Sequence, residues 1–181
     1  MENKLLYRFQ SRIQESGGWC EISASGDGIS DILNSKYMFE KEKIVISGRV
    51  AKELQLSGLP GMCIDEVKPN NRRALLSEAK LGVTFCDGLI AETGTVVLIN
   101  HPSEPRELSL LPEYHVVIAK QTQLYESLDK CFTKIKQLYP AGSIPSITLV
   151  SGPSRTSDIE KTLVIGVHGP VEFGVIIIGS R

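Results

Sequence analysis

Four short apolar runs constrain the fold most: Ile44-Val45-Ile46, Val96-Val97-Leu98-Ile99, Val116-Val117-Ile118-Ala119 and Val175-Ile176-Ile177-Ile178. They are rich in β-branched residues and do not alternate with polar ones. Each therefore reads as a strand covered on both faces. Helical spacing separates them, in Leu5, Leu6, Phe9 and Ile13, in Ile29, Ile32, Leu33 and Tyr37, and in Leu75, Leu76 and Ala79. Buried strands alternating with amphipathic helices imply an α/β fold, a mostly parallel sheet between two helical layers.

In chain order, Gly17-Gly18 ends the first helix, and Trp19 to Ile22 and Met62 to Ile64 read as short strands. Arg49 to Leu56 and Arg72 to Lys80 read as helices, and Glu40 to Lys43 as a solvated charge run. Val83-Thr84-Phe85 and Gly88 to Ala91 are apolar, and Thr93-Gly94 makes a tight reversal before Val96. The two arms should pair as a β-hairpin. Glu92 then sits at the end of an apolar strand, either as a carboxylate with a shifted pKa or as a surface residue of the turn. His101 to Pro112 is irregular, with three prolines. Leu124, Leu128, Cys131, Phe132, Ile135 and Leu138 predict one long helix, stopped by Tyr139-Pro140.

The chain has 181 residues, 20 of them basic and 21 acidic, and its basic clusters are short. That balance and the scarcity of aromatics argue against nucleic acid or an anionic membrane as partner. Cys20, Cys63, Cys86 and Cys131 are scattered with no Cys-x-x-Cys pair, which predicts reduced thiols and no metal site or iron–sulfur cluster on this chain. The N-terminus is too polar for a signal peptide and no apolar run approaches membrane-spanning length, so a cytoplasmic protein is expected.

The stretch Ile147 to Pro170 carries most of the chemical signal. An apolar run, Ile147 to Val150, breaks into Ser151-Gly152-Pro153-Ser154-Arg155-Thr156, followed by Ser157-Asp158-Ile159-Glu160 with the capping-box spacing of a helix start. A strand, a glycine turn, a hydroxyl-rich loop with one arginine and a capped helix would make an anion site. The crossover from Leu149 through that helix to Ile176 is long enough for a right-handed βαβ unit. Two plainer readings stand beside it: an ordinary turn with an exposed arginine, or a salt bridge from Arg155 to Asp158 or Glu160 that only fixes the loop.

Three motifs occur in one order: Gly82-Val83-Thr84 through Ile90-Ala91-Glu92-Thr93-Gly94-Thr95-Val96-Val97-Leu98; Ser109-Leu110-Leu111-Pro112 with His115-Val116-Val117; and Ser151 to Glu160 with Gly166-Val167-His168-Gly169-Pro170. Together they resemble the lactate utilization protein C family, whose members carry the LUD domain. The resemblance is strong over residues 70–178 and loose over 1–69, within one domain of residues 1–181. It implies a NagB/RpiA/CoA transferase-like fold. It also implies an accessory role in bacterial oxidation of L-lactate to pyruvate, beside partner subunits that carry the iron–sulfur clusters.

From this follows an expected ligand crevice at the carboxyl ends of strands, formed by Glu92, Thr93, Gly94, Thr95, Gly152, Ser154, Arg155, Thr156, Asp158 and His168. Arg155 would pair with a small anionic ligand, and the hydroxyls would donate hydrogen bonds. Glu92 would act as general base or, as in the CoA-transferases, as nucleophile, and His168 would move protons. His101 and His115 are weaker candidates than His168. The alternatives are a stand-alone enzyme acting on a sugar phosphate, CoA ester or folate, and a purely structural subunit.

Overall fold

Leu6, Phe9 and Ile13 line one face of helix α1 (Glu2–Glu15), and all three are buried. The chain then runs through β1 (Trp19–Ser23), α2 (Gly28–Lys36), β2 (Ile44–Ile46), α3 (Gly48–Leu54), β3 (Met62–Cys63) and α4 (Pro69–Glu78). Next come β4 (Leu81–Phe85), β5 (Gly88–Ile90), β6 (Thr95–Ile99), β7 (Tyr114–Lys120), β8 (Leu124–Tyr125) and α5 (Leu128–Leu138). The last strands are β9 (Ile147–Val150), β10 (Arg155–Ser157), β11 (Leu163–Ile165) and β12 (Glu172–Ile178). This computed structural model describes residues 2–26, 28–54, 61–139, 146–157, 163–165 and 169–179.

Six strands form the main sheet in the order β1-β12-β7-β4-β2-β3, and every neighbouring pair is parallel. Alternation along each strand decides which core a side chain joins. Phe173, Val175 and Ile177 of β12 face α1 and the smaller sheet, whereas Ile176 packs with Ile29 and Leu33 of α2 and Val50 of α3. On the α1 side, Leu76 of α4 closes over Val45 and Leu108. A second, four-stranded sheet runs β8-β5-β6-β9, and Cys131 and Ile135 of α5 cover its Ile90, Val97 and Ile99. Each fully buried aliphatic or aromatic side chain contributes about 1.5–3 kcal/mol of hydrophobic stabilisation. The α/β architecture with a parallel sheet between helices is the one implied by the sequence, and the hairpin forms as β5 and β6, paired antiparallel.

Ser157 closes β10, which pairs antiparallel with β11, and the helical turn expected to follow it through Glu160 lies outside the described residues. Two local expectations are corrected. Strand β9 pairs antiparallel with β6 in the smaller sheet while β12 lies in the main one, so the expected βαβ crossover between them does not exist. Leu124 belongs to β8, and the following helix begins only at Leu128, where the Ser127 hydroxyl accepts a hydrogen bond from the Lys130 N–H at 3.5 Å.

Candidate functional site

Two of the loops singled out from the sequence meet at the last turn of α1. That helix ends in a Schellman motif, in which Gly18 N–H donates to the Ile13 carbonyl and Gly17 N–H to that of Gln14, both at 2.9 Å. Gly17 takes φ +85°, a conformation that costs glycine little. The Ser16 carbonyl is left over, and the Arg155 guanidinium donates to it at 2.8 Å. A cation at a helix C-terminus is favoured by the dipole. Gly152 abuts the same carbonyl so closely that a Cβ there would lie 2.7 Å from it.

The hairpin turn approaches the helix from its other loop. Gly94 adopts φ +66°, and a Cβ at this position would stand 2.6 Å from the Ile13 backbone nitrogen. Next to it, hydroxyls are chained: Thr93 Oγ1 to Thr95 Oγ1 at 2.7 Å, and Thr95 Oγ1 to Ser151 Oγ at 2.8 Å. The chain ties the carboxyl end of β5 to that of β9, so the cluster sits on the smaller sheet. Glu92 is exposed at the turn; its N–H donates to the Glu126 carbonyl at 3.1 Å. Ser154 N–H donates to the Pro170 carbonyl at 2.8 Å, which joins this loop to the entry of β12. Thr156 lies in β10. Asp158 and His168, and with them the expected salt bridge to Asp158 or Glu160, lie outside the described residues. Thr93, Gly94, Thr95, Gly152 and Arg155 are thus brought together around one helix end.

Behind the Ser151–Ser154 loop lies a cavity of about 230 Å³, lined by Ser109, His115, Thr148, Ser151, Ser154 and Phe173 among others. His115 is fully buried and its Nε2 is 2.9 Å from Thr84 Oγ1. Its Nδ1 has no hydrogen-bond partner among the described residues. Burial pushes the imidazole down to about 3, so it is neutral at physiological pH.

Sequence reading missed a second polar centre, at the carboxyl ends of β2 and β4. Arg49 of α3 pairs with Glu104 at 2.7 Å and with Asp87 at 3.0 Å. Glu104 also accepts the Phe85 N–H, and Asp87 accepts the Ile99 N–H at 2.8 Å. Burial pushes the Glu104 carboxyl up to about 7, against the pull of Arg49. The only local signal was charge in an otherwise irregular loop and an aspartate before a glycine. Beyond this centre, strands β1, β12 and β7 end in register at Ser23, Ile178 and Lys120, beside a cavity of about 380 Å³. In it Lys120 pairs with Glu53 of α3 at 2.6 Å.

A family model for the LUD domain matches residues 23–178. The chain belongs to the LUD domain family. The match begins at the last residue of β1 and runs to the end of β12, so it takes in the four-stranded sheet and residues 92–155 but not α1, whose C-terminus they meet. Lactate utilization protein C of Shouchella clausii is 39% identical over 104 residues, which cover 57% of this chain and 45% of that protein. The Bacillus subtilis protein of the same name is 32% identical over 142 residues, 77% of this chain and 59% of its own length. The uncharacterized protein YkgG of Escherichia coli is 35% identical over 167 residues, covering 88% of this LUD chain and 72% of YkgG. The chain thus spans about half the length of the lactate utilization proteins it matches. A crystal structure of a DUF162 family protein from Deinococcus radiodurans superposes with a TM-score of 0.67 at 20% identity over 99% of both chains, which shows a shared fold. Among the described residues no helix is long and apolar enough to cross a membrane.

Proposed function

We propose that this LUD protein is an accessory component of lactate utilization, acting in the cytoplasm in the oxidation of L-lactate to pyruvate. It holds a small anionic ligand at the Ser151–Arg155 loop, and iron–sulfur clusters reside on partner subunits rather than on this chain. The observation that carries the reading is the anchoring of Arg155. One N–H of its guanidinium is spent on Ser16, which fixes the group, while the exposed remainder keeps donors for a carboxylate. The Thr93, Thr95 and Ser151 hydroxyls lie on the same helix end, and their two mutual hydrogen bonds leave one neutral donor of the three. Glu92 and His168 are the acid–base groups of this proposal. A role in lactate utilization is supported by the names of the relatives. The test is a thermal-shift and pull-down pair: stabilisation by L-lactate or pyruvate, together with capture of iron–sulfur proteins by the tagged chain in bacteria grown on lactate. The absence of both stabilisation and capture would overturn the proposal.

A second reading, a stand-alone enzyme acting on a sugar phosphate, CoA ester or folate, is favoured by the cavity at the ends of β1, β12 and β7. Open α/β sheets bind ligands at that edge, and Lys120 supplies a cation there. Stabilisation by sugar phosphates or CoA, with turnover by the isolated chain, would select it over the first.

A further inference from the structure

We infer that the cavity behind the Ser151–Ser154 loop is a binding pocket for the hydroxyl-bearing, uncharged end of a small ligand, with His115 as the residue that reads the hydroxyl. The inference rests on the proposal that this loop faces a small ligand, and it names the chemistry of the part that enters. Three observations carry it. First, His115 is fully buried, lines the cavity, and has an Nδ1 without a partner among the described residues. Buried polar atoms in native structures are nearly always satisfied, so an orphan beside a cavity points to a group that the cavity receives. Second, the tautomer need not be known. Thr84 holds Nε2 either as donor or as acceptor, leaving Nδ1 as a lone pair or as an N–H. A hydroxyl complements both, since one oxygen donates and accepts, and it is the smallest organic group that does so.

Third, the described lining carries hydroxyls, from Ser109, Thr148, Ser151 and Ser154, beside the apolar Phe173 and Leu110, and among the described residues no charged side chain. A carboxylate pushed into this space would lack a counter-charge, while Arg155 waits outside at the end of α1. At about 230 Å³ the cavity is smaller than the roughly 300–1,000 Å³ of pockets for drug-sized ligands, which suits a molecule of a few heavy atoms. His115 therefore acts as a specificity group for a short hydroxyl compound, with any charged end left at the loop. The neutral state of the imidazole, set by burial, agrees with a hydrogen-bonding role and not with charge pairing.

The test uses the full chain and a three-carbon series: L-lactate, propane-1,2-diol and propionate. Long-range proton–nitrogen NMR of the imidazole rings is recorded in a His101→Gln/His168→Gln variant, in which His115 is the one remaining histidine of the chain's three. The expected result is a saturable shift of the His115 Nδ1 resonance with lactate and with the diol, and none with propionate. Should the double variant not fold, the same spectra of the wild-type chain serve, since His115 is the ring that stays neutral at pH 5. A Ser154→Leu variant, which narrows the cavity, should weaken the diol response at least tenfold. Binding of lactate and propionate with equal strength and an unmoved His115 would overturn the inference and leave the anion site standing. A His115 response to the diol in a chain that ignores both acids would uphold the pocket and overturn the anion site. No response to any of the three would overturn the pocket as well.

Discussion

Arg155 and Ser16 lie 139 positions apart in the chain, yet the guanidinium Nη2 donates to the Ser16 carbonyl at 2.8 Å. The bond fastens the loop after β9 to the C-terminus of α1, so the candidate site and the first helix are mechanically one unit. Arg155→Ala removes an exposed charge-assisted bond at a helix end and should destabilise the protein by about 0.5–1 kcal/mol, read from the urea midpoint.

Gly94 is held by two constraints at once, a left-handed backbone and contact with the α1 backbone at Arg12 and Ile13. Gly94→Ala should therefore cost about 2–6 kcal/mol, since strain at such a position and overpacking each cost about 1–3 kcal/mol. Chemical denaturation reads the loss, and undiminished stability would show that the turn moves freely off the helix.

The Arg49 centre predicts an asymmetry between its members. Arg49→Met leaves the buried Glu104 and the partly buried Asp87 without their cation and should cost about 3–5 kcal/mol. Glu104→Gln keeps the shape and most hydrogen bonds, and its carboxyl already holds a proton over much of the neutral range. Its loss at pH 7 should be no more than about 1.5 kcal/mol, the scale of one hydrogen bond, and equal losses in the two variants would contradict the arrangement.

Glu104 and His115 pull stability in opposite directions with pH. Glu104 keeps a proton up to about pH 7 that the unfolded chain releases near 4.5, so its contribution is full below 4.5 and is lost as pH rises to 7. His115 refuses a proton down to about pH 3 that the unfolded chain takes up near 6.5, so its contribution is full above 6.5 and is lost as pH falls. Each slope is about 1.4 kcal/mol per pH unit where it acts, and the two offset each other between pH 4.5 and 6.5. Wild type minus His115→Gln should therefore rise in stability from pH 3 to 6.5 and level off above. Wild type minus Glu104→Gln should fall from pH 4.5 to 7. Urea titrations across this range measure both.

Much of the fold is legible because its signals are local. The apolar runs that become β2, β6, β7 and β12 carry their burial in their own composition, and Thr93-Gly94 carries the hairpin. What the sequence hides is pairing between distant segments. Nothing within Val96–Ile99 or Ile147–Val150 announces the β6–β9 ladder, in which Leu98 lies opposite Thr148. Likewise Arg49 and Glu104 are 55 residues apart, so their ion pair emerges only once β2 and β4 are side by side. His115 read as a strand residue, and its Nδ1, unpartnered among the described residues, is a property of the packed interior. Of the expected site, the meeting of the two loops is a tertiary fact that only the shared neighbour, α1, makes visible.

The central claim is that the loop bearing Arg155 holds a small anion, and isothermal titration of wild type and Arg155→Lys with L-lactate, pyruvate and phosphate tests it most directly. The account predicts saturable heat in the wild type for at least one of the acids. In Arg155→Lys the fork geometry is lost, and affinity should fall about tenfold or more while stability changes by less than about 1 kcal/mol. A wild-type chain that binds none of these anions, or a lysine variant with full affinity and a large loss of stability, would contradict it and leave Arg155 as a clamp on α1.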